Sequence, residues 1–349
     1  MKKSFGLPAF AAALAVLLTA CAPPAAKAPA APAAQAPAAQ APAAQEAQVK
    51  AEPVAQTGQK VKIILVAHAA SSWDSFWKVV EQGNHDAARD FNVDLTILAP
   101  DHWCPECVVK LIDQAVAAKP DAIGITVSDG ALFEDAMKRA IAAGIPVLTY
   151  NSGDQRPADK NIGLIYIGQN EYLAGQQGAQ RLIKAGAKKG VCVNQGVGST
   201  NLDQRCKGFV DTMKAGGLAA DVLGISNDAA QAATTISDYA AAHPDVDTYL
   251  TLGPNGATPF YAFVKQEKLE GKLIHGTFDL GPEIVSHIKD GSTLFGIDQQ
   301  PYIQGYMVVQ WLSWGLRYGI TTPANILTGP GFVDKVNVAK VEALAGKYR

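Results

Sequence analysis

The chain has almost no net charge: 30 Lys and Arg against 32 Asp and Glu give a formal −2 over 349 residues. It therefore lacks the basic patch that nucleic acid needs and the acidic tail that would scavenge cations. Cysteine is scarce, with five in all. His68, His102 and His275 show no metal spacing and read as structural, so no metal or cofactor is expected. After the leader, no apolar run is long enough for a transmembrane helix. No glycine-rich phosphate loop follows the first strand, and Gly196-Val197-Gly198 lacks the third glycine. Neither a Ser-His-Asp order nor a Gly-x-Ser-x-Gly elbow is present. These absences argue against an enzyme and for a binding module.

The N-terminus reads as an export signal. Lys2 and Lys3 precede an apolar stretch from Leu7 to Leu18, too short to span a bilayer, ending in Leu18-Thr19-Ala20-Cys21. This looks like a bacterial lipobox: residues 1–20 are removed and Cys21 is acylated, anchoring the chain to the membrane. Residues 21–59 form a tether with three copies of Ala-Pro-Ala-Ala-Gln between Ala31 and Gln45. With almost no large apolar side chain it cannot bury a core. Its prolines favour extended polyproline II at ~3.1 Å per residue, a reach of ~100 Å. Four cysteines remain, an even number in an oxidising compartment. Cys104-Pro105-Glu106-Cys107 reads as a local disulfide; a zinc half-site or a redox pair fits its surroundings less well. Cys192 and Cys206 fall in a strand and the helix after it, where a disulfide would staple the two.

From Lys60 the chain alternates between β-rich apolar runs and helical spacing. Strands are expected at 61–66, 93–98, 122–127 and 145–150, then at 190–194, 220–225, 248–252, 273–278 and 292–297. The intervening segments, such as 76–91, 108–118, 171–185, 202–215, 259–266 and 301–317, carry helical periodicity. Apolar strands alternating with helices mean parallel sheets covered on both faces. Four such runs in the first half and five in the second give an α/β chain of two doubly wound lobes. In such sheets ligands sit at the carboxyl ends of the strands. Polar residues recur just past those ends: Asp74, Ser128-Asp129, Asn151-Ser152, Asn194-Gln195, Asn201, Asp203, Arg205, Asn227, Asn255, Asp279 and Asp298-Gln299.

Several of these stretches carry a family resemblance. Phe76-Trp77, Ala143-Gly144-Ile145-Pro146-Val147, Ala242-His243-Pro244-Asp245-Val246, Gly276-Thr277-Phe278-Asp279 and Gln299-Gln300-Pro301 resemble the ribose/galactose-type periplasmic binding proteins of sugar ABC transporters. The likeness runs from about Lys60 to Val338. It implies the type I periplasmic binding fold, with lobes of residues 60–168 plus 300–332 and 169–299 plus 333–349. Three hinge strands should cross near Gln169-Asn170, Asp298-Gln299 and Phe332-Val333. The resemblance implies that Phe76 and Trp77 stack on a sugar ring, with Asp74 nearby as a hydroxyl acceptor. Arg205, Asn255, Asp279 and Gln299 match cleft positions, whereas Asn227 stands where the family has an aromatic. Asn151-Ser152 replaces the Asp-Arg of ribose binders, which argues against ribose.

The chemistry also follows from the residue types. Sugar hydroxyls donate and accept, so a buried ring needs carboxylates, amides and guanidinium held in place. Its apolar faces suit flat aromatic surface such as Trp77. Trp311 and Trp314 read as core. The expectation is a monomeric solute-binding protein, hinged around a sugar or polyol and serving an ABC permease. A sensory receptor of the same fold is the alternative.

Overall fold

The computed structural model describes residues 58–153, 165–322 and 324–349. The leader, Cys21 and nearly all of the tether lie outside the described residues. The chain opens with β1 (Val61–Val66), α1 (Ser75–Asp90), β2 (Val93–Leu98), α2 (Pro105–Ala117), β3 (Ala122–Ile125), α3 (Gly130–Ala142) and β4 (Val147–Tyr150). β5 (Tyr166–Gln169) ends this run, and α4 (Glu171–Lys184) begins the second. Then come β6 (Lys189–Asn194), α5 (Thr200–Ala215), β7 (Ala219–Gly224), α6 (Ala229–Ala242), β8 (Thr248–Thr251) and α7 (Pro254–Gln266). β9 (Ile274–Phe278), α8 (Pro282–Asp290), β10 (Phe295–Asp298), α9 (Pro301–Tyr318), β11 (Ile326–Gly329) and β12 (Gly331–Asp334) follow.

The strands form two six-stranded sheets, ordered β11-β5-β4-β3-β1-β2 and β12-β10-β9-β8-β6-β7. All pairings are parallel except β12 on β10. The two orders repeat one topology: β1 has β2 on one side and β3 on the other, as β6 has β7 and β8. Each sheet is clothed by apolar clusters on both faces, which is why the central strands read as unbroken apolar runs. β4 is buried at all four positions. The first sheet adds β5 and β11 to the four strands placed in the sequence, and the second adds β12 to its five. β11 and β12 are four-residue edge strands with an exposed or partly exposed side chain at most positions, so they carry little apolar signal.

Three crossings join the lobes, through Asn170, through Gln299-Gln300 and through Pro330. The first two fall where the sequence placed them. The third corrects the expected boundary: Phe332 and Val333 lie inside β12, paired with Ile297 and Gly296 of the second sheet. Another correction concerns α7. It begins at Pro254, five residues before Pro259, which lies inside the helix. Either proline suits a first-turn position, and composition alone favoured the wrong one.

Helices α4 and α5 pack closely because Gly175 and Gly208 lie at their contact. A Cβ on Gly175 would stand 2.0 Å from Arg205 O, and one on Gly208 2.1 Å from Tyr172 O. This close approach sets Arg205 of α5 beside Glu171 of α4. Cys192 and Cys206 are bonded, fixing β6 to α5 as expected, and Cys104 is bonded to Cys107 at the start of α2. No helix among the described residues is long and apolar enough to cross a membrane.

Candidate functional site

The carboxyl ends of the two sheets face one another across a cleft. Its cavity of about 60 Å³ compares with roughly 10–15 Å³ for one water. It therefore suits an occupant a few waters in size and not a chain of sugar units. All ten residues singled out in the sequence line it: Asp74, Phe76, Trp77 and Asn151 from the first lobe, Asn201, Arg205, Asn227, Asn255 and Asp279 from the second, and Gln299 from a crossing. His68, Trp73, Trp103, Gln195, Ser199 and Leu252 also line it and were not singled out. Gln195 belongs to the polar pair Asn194-Gln195 past its strand end, and Trp73 stands next to Asp74. Trp103 lies past β2, a strand end from which no contact was expected. His68 follows the first strand among apolar neighbours and gives no signal.

The aromatic wall is part of the first lobe's core. Phe76 and Trp77 open α1, are 8% and 3% exposed, and pack in the cluster with Tyr150 and Leu65. Trp77 meets His68, Phe76 and Tyr150 edge to face, with centroids 4.9, 5.6 and 6.3 Å away. Trp77, expected to stack on a sugar ring, thus lines the cleft and belongs to the core at once. Asp74 has two duties. Its Oδ1 accepts the Phe76 N–H at 2.9 Å as the cap of α1, and its Oδ2 accepts Asn255 Nδ2 from the other lobe at 3.3 Å. With Thr200 N–H donating to Ser128 O at 2.7 Å, this bond spans the lobes and defines a closed form.

Beneath the cavity lies a charged floor. Arg205, 2% exposed, donates through Nε and Nη2 to Glu171 at 2.7 and 3.0 Å and through Nη1 to Leu252 O at 3.0 Å. Its guanidinium lies 4.4 Å from the Phe278 ring centre. Burial pulls its pKa down, but the Glu171 charge and bonds outweigh that and the net direction is up. An amide network covers the hinge. Gln299 Nε2 donates to Asp279 Oδ1 at 2.7 Å, while its Oε1 accepts Gln304 Nε2 at 3.1 Å and Asn151 Nδ2 at 3.3 Å. Asn151, Asp279 and Gln300 sit at φ 60°, 62° and 58°, the left-handed region that Asn and Asp tolerate best. Gln195 Oε1 is buried without a hydrogen-bond partner, so a donor from an occupant would satisfy it. Asn201 Oδ1 accepts the Ser199 hydroxyl at 2.6 Å, and Asn227 is exposed at the rim.

Some polar strand-end residues serve the backbone instead. Asp129, Asn170 and Asp228 accept the Leu132, Leu173 and Gln231 N–H groups and cap α3, α4 and α6. Among the described residues one His/Cys group, His102 with Cys104 and Cys107, is close enough to share an ion, but its two sulfurs are bonded to each other. His275 is buried between Phe260 and Thr251.

Burial raises two cleft carboxyls, Asp279 to about 7 and Asp74 to about 6, against the opposing pull of Arg205 and their hydrogen bonds. Burial, helped by Arg205, lowers His68 to about 3, so its ring is neutral near pH 7. The closed form thus holds protons on Asp74 and Asp279 more tightly than an open, solvated form would. Closure without an occupant is then favoured at low pH, and that advantage is lost as pH rises through 6 and 7. Energy transfer between dyes on the two lobes should be higher at pH 5 than at pH 8 without added solute. Equal transfer at both would show that closure does not bury these carboxyls.

Residues 63–313 match the family model of the periplasmic binding protein domain, and the chain belongs to that family. A carbohydrate transporter from Acidothermus cellulolyticus 11B, solved in complex with myo-inositol, is 32% identical. That match covers 82% of this chain and 99% of the other, with a TM-score of 0.76. An ABC transporter solute-binding protein from Agrobacterium vitis, bound with α-D-tagatopyranose, is 28% identical over 83% of this chain and 100% of the other, with a TM-score of 0.73. The xylose/arabinose-binding protein of Sulfolobus acidocaldarius is 24% identical over 304 residues, 82% of this chain and 74% of its own. The two six-stranded lobes are the type I periplasmic binding fold. These relatives are sugar-binding and transport proteins, not enzymes.

Proposed function

We propose that this chain is the extracytoplasmic solute-binding lipoprotein of an ABC transporter, closing its lobes on one monosaccharide or sugar-like polyol for delivery to the permease. It works as a monomer without catalysis or cofactor. The observation that carries this reading is the convergence of aromatic, amide, carboxylate and guanidinium groups from both lobes on one small cavity at the hinge. Contacts from both lobes make an occupant favour the closed form, which the permease can distinguish from the open one.

The charges narrow the occupant. Among the described residues that line the cleft Arg205 is the one cation, and it is already paired with Glu171, while Asp74 and Asp279 are acidic. Among the described residues an anionic sugar, such as a uronate or phosphate ester, would find no unpaired positive partner and would meet two carboxyls. An uncharged polyol fits. The relatives solved with myo-inositol and tagatose support cyclic polyols and ketoses as first candidates. A thermal-shift panel of myo-inositol, tagatose, xylose, arabinose and glucuronate tests this. A true ligand at a hundredfold over its Kd should stabilise by about 2.7 kcal/mol, and glucuronate should not. A shift with glucuronate alone would overturn the neutral-ligand reading.

The lipid anchor rests on the Leu18-Thr19-Ala20-Cys21 motif. Cys21→Ser should abolish fatty-acid labelling in an expressing bacterium and release the protein from the membrane fraction. Labelling equal to the parent would show that the anchor lies elsewhere.

A further inference from the structure

The two disulfides differ in kind. Cys192 and Cys206 are 0% and 2% exposed, sealed between β6 and α5. Cys104 and Cys107 are both partly exposed and lie at the N-terminus of the thirteen-residue α2, with Cys104 as its cap and Pro105 in the first turn. The Cys107 N–H donates to Cys104 Sγ at 3.2 Å. A sulfur at a helix N-terminus, accepting a backbone N–H, is stabilised as thiolate and so leaves readily in thiol–disulfide exchange. The residue before it, Trp103, lines the cleft, its ring 6.0 Å from that of His68.

We propose that Cys104–Cys107 is a thiol–disulfide exchange site for dithiols, and that its redox state sets how firmly Trp103 is held in the cleft. A thiolate of the reductant forms a bond to Cys107 Sγ. The Cys104–Cys107 bond breaks, and its electron pair stays on Cys104 Sγ, facing the Cys107 N–H. The reductant's second sulfur then takes the mixed disulfide, leaving as a cyclic disulfide and releasing Cys107 Sγ. Two electrons and two protons pass from the dithiol to the two cysteines. The product segment keeps Cys104 as helix cap but loses the covalent closure beside Trp103.

The test uses the folded wild-type protein with graded ratios of reduced to oxidised dithiothreitol, quenched with iodoacetamide and mapped by mass spectrometry. Cys104 and Cys107 should be half alkylated at a ratio at least tenfold lower than Cys192 and Cys206. Both pairs reacting together, or Cys104 and Cys107 staying bonded until denaturant is added, would overturn the exchange site. Collisional quenching of Trp103, taken as the difference between wild type and Trp103→Phe, should rise at least twofold on reduction. Unchanged quenching would overturn the link to the cleft. Neither readout needs the ligand, so the outcome is separate from that of the sugar-binding proposal.

Discussion

Arg205→Met should destabilise the protein by about 3–5 kcal/mol, the typical cost of removing one member of a buried ion pair. The methionine keeps most of the stem and its contact with Phe278, so the loss reports on charge and hydrogen bonds more than on a cavity. Glu171 is 0% exposed, and besides Arg205 it accepts Gln169 Nε2 at 2.7 Å. Neutral hydrogen bonds do not offset a buried carboxylate stripped of its guanidinium. Urea denaturation of single and double variants separates the causes. Glu171→Gln combined with Arg205→Met should recover at least half of the loss, because the cost lies in the uncompensated charge. A single-variant loss below about 1 kcal/mol would mean that water reaches Glu171. The pair also lies at the junction of α4, α5 and the first crossing, so its loss should weaken solute binding as well.

The floor of the cleft was only half legible in the sequence. Arg205 stands at a strand-end position and reads as a ligand contact, but its partner lies 34 residues away on another helix. Only the α4–α5 packing, made possible by Gly175 and Gly208, brings Glu171 to it. What the sequence showed well was whatever repeats locally: apolar strands at βαβ spacing, and polar residues at their carboxyl ends. Those ends converge because the two sheets share one topology, so ten residues scattered from 74 to 299 meet at one cavity. Position along a strand could not separate cap from contact. Asp129 and Asp228 look like Asp74 in sequence, yet they only cap helices. Trp103 gives no signal of its own in the sequence, because it stands beside Cys104-Pro105-Glu106-Cys107, which reads as a local disulfide. The third crossing was misplaced because β11 and β12 have only Pro330 between them and no polar loop to mark the change of sheet.

At pH 8, above the raised pKa of about 7, Asp279→Asn should weaken binding of the best solute from the panel roughly tenfold to a hundredfold, the value of a hydrogen bond to a charged acceptor at ~1.5–3 kcal/mol. Asp279 Oδ1 is held by Gln299 Nε2. Oδ2 lies 3.1 Å from where a Cβ on Gly253 would stand, so the missing side chain leaves that oxygen open toward the cleft. Asparagine keeps the shape and removes the charge. Trp77→Ala is the less direct test. Trp77 belongs to the core, so its loss should cost about 3–5 kcal/mol of stability and blur any effect on affinity. Calorimetry on Asp279→Asn measures the carboxylate's part alone. The same variant also divides the pH response of closure. The step near 7 belongs to Asp279 and should vanish, while the step near 6 belongs to Asp74 and should remain. Wild-type affinity together with both steps intact would move the ligand's acceptor away from Asp279.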